Sequence, residues 1–387
     1  MTTQLPTERG RSRRGSEGAA VSAEPVHGLS ARGIDWRAAL SIRNIGAVYV
    51  LIAICIVFSI WAPQTFPHLA TVQQVLDDNA ITALAALALI VPLATRTFDL
   101  SFAYVMSLSG VTAAHFIVTN NWNIWLATLA GIVVALIIGV INGFVVVVMR
   151  IDSFIATLAT GSLVQAFISF VTGDNTINSV KLAGAFSKMS QGEFLGVIYP
   201  VYYALALAVA LWLFMEYTAT GRRIYATGFN PDAARLANIK VNKLRFCSLL
   251  TSAALAGFAG VMLASSLSSG SPSAGTSYLL PAFAALFVGA TVFKQGRFNA
   301  WGTIVAVLML GTGVVGLGLV AAPLWAADMF TGVVLIAALS ANVFQRRSLW
   351  RGQVGRYRWL PARLRGGTGR PGTAAAEAAQ PGDGGRQ

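Results

Sequence analysis

The amino-acid sequence predicts an all-α membrane protein, a polytopic bundle of about ten transmembrane helices with both termini cytoplasmic. Three observations predict it. Ten apolar runs, each near the length that crosses a bilayer, fill the chain between Asn44 and Phe344. Only 11% of the 387 residues are charged, against about 25% in soluble domains, and 55% are hydrophobic. Lys and Arg fall almost entirely in every second gap between the runs. A backbone in hydrocarbon must satisfy its own hydrogen bonds, so an uncharged run such as Ile45 to Trp61 becomes a helix of roughly 20 residues.

In chain order the predicted spans are 44–62, 79–96, 101–119, 123–149, 153–172, 197–217, 246–267, 278–293, 302–320 and 323–344. The stretches 97–100 and 321–322 are too brief for exposed loops and read as tight turns or re-entrant elements. Placing the N-terminus inside puts 26 of the Lys and Arg residues on the cytoplasmic side. They lie in the N-terminal tail, at Arg96 and Arg150, in the loop 218–245, at Lys294 and Arg297, and in the C-terminal tail. Only Lys181 and Lys188 remain outside, which fixes the orientation by the bias of basic residues toward the cytoplasm. Residues 1–43 read as a disordered basic cytoplasmic tail and 347–387 as a disordered tail rich in Gly, Ala and Pro. Between them, 44–346 form one transmembrane domain. Ser12-Arg13-Arg14 lies too far from an apolar run to be an export signal, so the first span is an uncleaved helix.

Composition and motifs exclude several function classes. The net charge of +13 follows the loops and concentrates on no face, so nucleic acid is not an expected partner; membrane lipid is. Cys55 and Cys247 sit inside apolar runs and read as packing residues, with no disulfide or metal site expected. No Gly-rich loop ends in Gly-Lys-Ser/Thr, so the chain has no P-loop for ATP, and neither enzyme activity nor a cofactor is expected. His27, His68 and His115 are far apart; His115, in the third span, reads either as a proton relay or as a packed residue. Few ionisable groups lie deep in any span, which weakens a proton-driven secondary transporter.

The loop 218–245 is the most informative polar segment. Within it Asn230 suits a helix N-cap, Pro231 the first helical position and Asp232 the positive end of the helix dipole. A short helix with little stability of its own in water is expected there, either docked into a partner or merely connecting spans.

At this point a resemblance becomes specific. Gly221-Arg222-Arg223-Ile224-Tyr225-Ala226-Thr227-Gly228, then Asn230-Pro231-Asp232-Ala233-Ala234-Arg235, resembles the coupling-helix region of ribose-type ABC transporter permeases, the membrane subunits of bacterial monosaccharide importers. Phe98-Asp99-Leu100-Ser101 resembles the family's Ile-Asp-Leu-Ser, and Ser153 to Thr160 its Pro-Phe-Ile-x-Thr-Leu-x-Thr. Gly289-Ala290-Thr291 with Gly296-Arg297-Phe298 and Gly302-Thr303 resembles its Gly-Gly-Thr, Gly-Arg-Gly and Gly-Thr elements. The set covers about 44 to 346, in order. The chain departs from the family at Thr97, usually Gly, at Phe102-Ala103-Tyr104, usually Val-Gly-Ser, and at Leu279-Leu280-Pro281, where an acidic residue is common. These changes leave the cargo's identity open.

The resemblance implies a permease subunit in the bacterial inner membrane. It implies a separate ABC ATPase, a periplasmic or lipid-anchored sugar-binding protein, and a second permease subunit forming a homodimer. It implies an ATPase contact at Asn230, Pro231, Asp232, Ala233, Ala234, Arg235 and Leu236. Candidate residues along the substrate path are Asn79, Phe98, Asp99, Ser101, Phe154, Thr157, Thr160 and Gln165. Asp99 with Ser101 either caps a broken helix beside the path, with Arg96 as the expected ionic partner, or simply starts span three. Thr157, Thr160, Ser162 and Gln165 give span five a polar stripe, which either meets substrate or bonds within the bundle. Asn79 and Asn142 present the same choice. Gly139 and Gly143 in span four, and Gly311, Gly313, Gly316 and Gly318 in span nine, are expected at close helix contacts. The external loop 173–196 reads as a docking surface for a binding protein or as a connector. The competing functional readings are a secondary transporter or facilitator, and an ABC permease for an amino acid or nucleoside.

Overall fold

The computed structural model describes residues 42–291, 296–323 and 325–340, with side chains from Val48 onward. The expected tails 1–43 and 347–387 lie outside these residues, except that Ile42 and Arg43 already belong to the first helix. The helices are α1 (Ile42–Trp61), α2 (Leu69–Ala88) with its continuation α3 (Ile90–Ala94), α4 (Phe102–Asn120), α5 (Ile124–Gly143) and α6 (Ser153–Thr172). They continue with α7 (Lys188–Gln191), α8 (Tyr199–Tyr217), α9 (Ala219–Phe229), α10 (Pro231–Leu236), α11 (Val241–Leu267), α12 (Leu279–Gly289), α13 (Ala300–Leu319) and α14 (Trp325–Ser340). Among the described residues, seven apolar helices, one of them the joined α2–α3, are long enough to cross a membrane. Three shorter apolar helices complete a set that falls on the ten predicted runs.

Polar side chains mark the helix starts. Asn123 accepts from the Trp125 amide at 2.9 Å, Asp152 from Phe154 at 3.0 Å and Thr218 from Gly221 at 3.0 Å. Each satisfies an amide that has no partner inside its helix. Several ends turn on residues with positive φ, including Asn121, Gly173 and Ser268.

Small and aliphatic side chains make the centre of the bundle dense. From Leu84 to Ile90 the second span is completely buried, and α4, α11 and α13 are largely buried with it, whereas α5, α6 and α8 turn most of their surface outward. Five of the six glycines expected at close contacts serve close approach, while Gly318 has open space beside it. Gly139 lies against Ala253 and Gly143 against the Phe246 ring, both on α11. On α13, Gly311 faces Asn79, Gly313 faces Phe330 and Gly316 faces Phe58. Small residues at these crossings gain dispersion contact that no hydrophobic effect supplies in lipid.

Three boundaries differ from the hydropathy reading. The second span begins at Leu69 rather than 79, because Gln73, Gln74, Asp77 and Asp78 lower its hydropathy without breaking the helix. Asp77 is engaged there, accepting from the Ile198 amide at 3.2 Å. The eighth span is entered through a 3₁₀ turn, Ala274–Tyr278. The loop 218–245 holds two helices, α9 and α10, and the first turn of α11.

The loop 173–196 is folded rather than slack. Its Ile177–Asn178 pairs antiparallel with Ser269–Gly270, and Glu193–Phe194 with Val197–Ile198. Lys181 caps the end of α4, donating to the Val118 carbonyl at 2.9 Å and Asn121 Oδ1 at 2.7 Å. Cys55 and Cys247 form no disulfide, and Cys247 faces out of the bundle.

Candidate functional site

The helix break between α3 and α4, residues 95–101, gathers most of the predicted polar residues. Chain direction reverses here within seven residues, helped by Arg96 in the left-handed region at φ 57°. A break inside a bundle exposes amides and carbonyls that must find partners. Neighbouring helices supply them. The Phe98 amide donates to Ser153 Oγ and the Leu100 amide to Thr157 Oγ1, both at 3.0 Å. Thr157 in turn donates to the Ser153 carbonyl at 2.7 Å. Thr95 Oγ1 donates to the Pro92 carbonyl at 2.8 Å and stands 3.1 Å from Thr97 Oγ1 and from Ser248 Oγ on α11.

Asp99 is 1% exposed. Its Oδ1 accepts from the Ser101 amide at 3.1 Å and the Ser101 hydroxyl at 2.6 Å, and Ser252 of α11 faces the same carboxyl. Asn142 of α5 donates to Ser101 Oγ at 2.7 Å. The break is thus tied to α5 through Ser101 and Asn142, and to α11 through Thr95 and Ser248, while the Ser252 hydroxyl has no hydrogen-bond partner. Arg96 is not its partner, contrary to expectation. The positive φ turns Arg96 away, and its Nη2 donates to the Phe229 carbonyl at 3.2 Å. The carboxyl thus holds the Ser101 amide and hydroxyl at the start of α4.

Phe98, Asp99, Ser101, Phe154 and Thr157 therefore form one cluster. The Phe98 and Phe154 rings meet edge to face, 6.3 Å between centroids, and both remain partly exposed. Thr160 lies one turn along α6 but bonds back to the Ala156 carbonyl at 2.9 Å, and Ser162 bonds back to Leu158. Gln165 is two turns beyond Thr157, half-buried, with a buried Oε1 that has no hydrogen-bond partner. Asn79 is not part of the cluster. It precedes Ala94 by roughly 22 Å of helix, donates to the Val75 carbonyl at 2.9 Å and packs on Gly311. Among the described residues no three His, Cys, Asp or Glu side chains converge. The polar groups of the cluster are hydroxyls, amides and one carboxyl, and those of Asp99, Ser101 and Thr157 are buried and bonded within the bundle.

A second site stands at the same end of the bundle. Asn230 Oδ1 accepts from the Asp232 and Ala233 amides, each at 3.1 Å, and starts α10 as its sequence predicts. Only Ala234 is buried; Asp232, Ala233, Arg235 and Leu236 are exposed, Leu236 at 90%. Arg235 pairs with Asp232 at 3.0 Å, both well solvated, so the pair contributes little to stability, about 0.5 kcal/mol.

No feature of the sequence announces that α9 joins this helix to the break. Gly228 lies so close to the Ala94 carbonyl that a β-carbon would collide with it. Together with the Arg96–Phe229 bond, this seats the end of α9 directly on α3. Tyr225 donates to the Phe298 carbonyl at 2.8 Å, and Arg297 lies over the rings of Tyr225 and Phe229. Burial, and then the Glu216 charge, push the Tyr225 hydroxyl up to about 12, against the pull of Arg297. Asn142, one of whose two sequence readings is a bond within the bundle, makes that bond to Ser101; Ser153, Ser248 and Gly228 are the residues that the sequence does not single out for the site. Their only signal is a polar or small residue inside or beside an apolar run, which ordinary packing also explains.

Residues 72–339 match the family described as the permease component of the branched-chain amino acid transport system. The chain is 31% identical to the ribose import permease protein RbsC of Escherichia coli (strain K12) over 299 residues, covering 77% of this chain and 92% of the relative. Identity to the corresponding Bacillus subtilis (strain 168) protein is also 31%, over 297 residues and the same shares of each chain. The L-arabinose ABC transporter permease protein AraH of Azospirillum brasilense is 28% identical over 318 residues, 82% of this chain and 91% of the relative. Matched along two thirds of its length and built as a multi-pass helical membrane protein, the chain belongs to the family of sugar ABC transporter permeases.

Proposed function

We propose that this chain is the permease subunit of an ABC importer, forming the inner-membrane path for a monosaccharide that a binding protein delivers and a separate ATPase drives. The observation that carries the reading is the seating of α9–α10 on the helix break. An exposed capped helix, with Leu236 bare, follows directly on α9, whose end rests on Ala94 and Arg96 at the head of the backbone carrying Phe98, Asp99 and Ser101. A push received at Asn230–Leu236 would reach the break with no flexible segment between. Such a device suits switching between two arrangements biased by ATP-dependent closure of the partner.

In this reading the arginine-rich end is cytoplasmic, Phe98, Asp99, Ser101, Phe154 and Thr157 border the inner mouth of the path, and Thr160, Gln165 and Asn79 lie farther along it. The mouth then forms by separation of α6 from the break. A second copy completes the path as a homodimer, and the folded outer loop 173–196 meets the binding protein.

A crosslinking scan of positions 230–236 against the ATPase subunit tests the proposal, with a strong product expected at 236. Uptake at full rate by the permease alone in liposomes would establish a facilitator instead. The cargo is taken as a sugar because relatives matched over nine tenths of their length are ribose and arabinose permeases. A second reading, an amino-acid cargo, has the matched family's description in its favour. Thermal shifts of the partner binding protein with D-ribose, L-arabinose and L-leucine separate the two.

A further inference from the structure

Arg297 stands where two separately anchored elements meet. Its guanidinium lies 5.1 Å from the Tyr225 ring centroid and 5.2 Å from that of Phe229. These rings are four residues apart on α9 and share one face. Beside them the Tyr225 hydroxyl donates to the Phe298 carbonyl at 2.8 Å. The turn carrying Arg297 and Phe298 is fastened to both helices it connects. Asn299 Oδ1 accepts from the Gly302 amide at 2.7 Å, starting α13, while its Nδ2 donates to the Gly289 carbonyl at 3.4 Å, at the end of α12. The Gly296 amide donates to the Ala290 carbonyl at 2.9 Å. Gly289 and Gly302 bring the two backbones together at the same level.

On its other side α9 rests on Ala94 and is tied to Arg96. One short helix therefore touches two parts of the bundle, the α3–α4 break and the α12–α13 hairpin. We propose that Arg297 is a positioning residue that carries movement of α9 to α12 and α13, in parallel with the contact that carries it to the break. A guanidinium stacked on two rings suits the task. It resists separation from them yet tolerates sliding along the faces, unlike a hydrogen bond with one good geometry. The inference rests on the reading that α10 receives the ATPase.

The test uses the assembled importer, permease with its ATPase and binding protein, carrying Cys55→Ser and Cys247→Ser and spin labels in pairs. One pair, at positions 170 and 222, follows α9 against α6; the other, at 170 and 318, follows α13 against α6. Addition of ATP and vanadate should shift both distances in the unmutated permease. Arg297→Gln should keep the shift at 222 and reduce the moved population at 318 about fivefold, as loss of an exposed cation–π contact would. Arg297→Lys, which keeps the cation, should restore at least half of it. An unchanged shift at 318 in Arg297→Gln, a shift at 222 without one at 318 in the unmutated protein, loss of both shifts together in Arg297→Gln, or failure of Arg297→Lys to restore would each overturn the inference alone. No shift at 222 in the unmutated complex would remove the ATPase-contact reading, and this inference with it.

Discussion

The helix break at 95–101 and the α9–α10 segment sit side by side yet are stabilised in opposite ways. At the break, backbone amides and hydroxyls are buried and bonded by side chains from α5, α6 and α11, far away in sequence, with Asn142 Oδ1 and Ser252 Oγ left without partners. In α10, the cap and the ion pair are local contacts, each spanning at most three residues, and they stand in water. The contrast shows where each region tolerates change. A buried network fixes one arrangement of several helices, and losing any partner leaves a desolvated group behind. A locally capped helix keeps its own shape wherever it is moved, which suits a part that transmits force.

Wedging the two regions apart should have the largest effect. Gly228→Val places a branched side chain against the Ala94 carbonyl. It should abolish uptake and lower the unfolding temperature of the purified permease by more than the loss of any one hydrogen bond at the break. Next in size is the network itself. Asp99→Ala leaves the Ser101 hydroxyl and amide without their acceptor, costing about 1–3 kcal/mol in denaturant unfolding. Paired with Asn142→Ala it should be non-additive by at least about 0.5 kcal/mol, because both act through Ser101.

Asn230→Ala should behave differently. It removes a cap that contributes about 1 kcal/mol, so faster amide exchange should be confined to α10 while global unfolding hardly moves. Smaller still is the effect of Leu236→Ala on stability, within about 0.5 kcal/mol, although the same change should weaken association with the ATPase. The smallest effect lies at alkaline pH. Tyr225 is held at about 12 in the fold against about 10 in an unfolded chain, so its contribution is present below pH 10 and fades as pH rises from 10 to 12. Tyr225→Phe should remove that part of the alkaline decline, seen as a flatter unfolding temperature against pH over the same window.

Much of the fold is legible in the sequence. The runs of apolar residues locate the helices, since no other structure satisfies the backbone of such a run in lipid. Asn230, Pro231 and Asp232 announce α10 because capping is a contact between neighbours in the chain. Phe98, Asp99, Ser101, Phe154 and Thr157 form a set by resemblance, and they do meet. Asn79 has the same polar character and lies elsewhere, because a polar residue in an apolar run states that it needs a partner without saying which. Arg96 is close to Asp99 in the chain, yet its backbone turns it the other way. The helix α9 reads as loop, for Gly221 and Gly228 weaken it locally, and only its contacts with α3, α8 and the 296–299 turn explain it.

The class of the molecule is written in its residues alone: a helical membrane bundle, basic at one end, with a capped helix projecting from that end. Hydropathy, charge and capping suffice for this because each acts over a few neighbouring residues or through the lipid. Folding in three dimensions was needed to rest the projecting helix on the break, to hold Asp99 by the Ser101 hydroxyl and no arginine, and to set Arg297 against α9. Those contacts depend on which distant side chains arrive at one place, and packing settles that for the whole bundle at once.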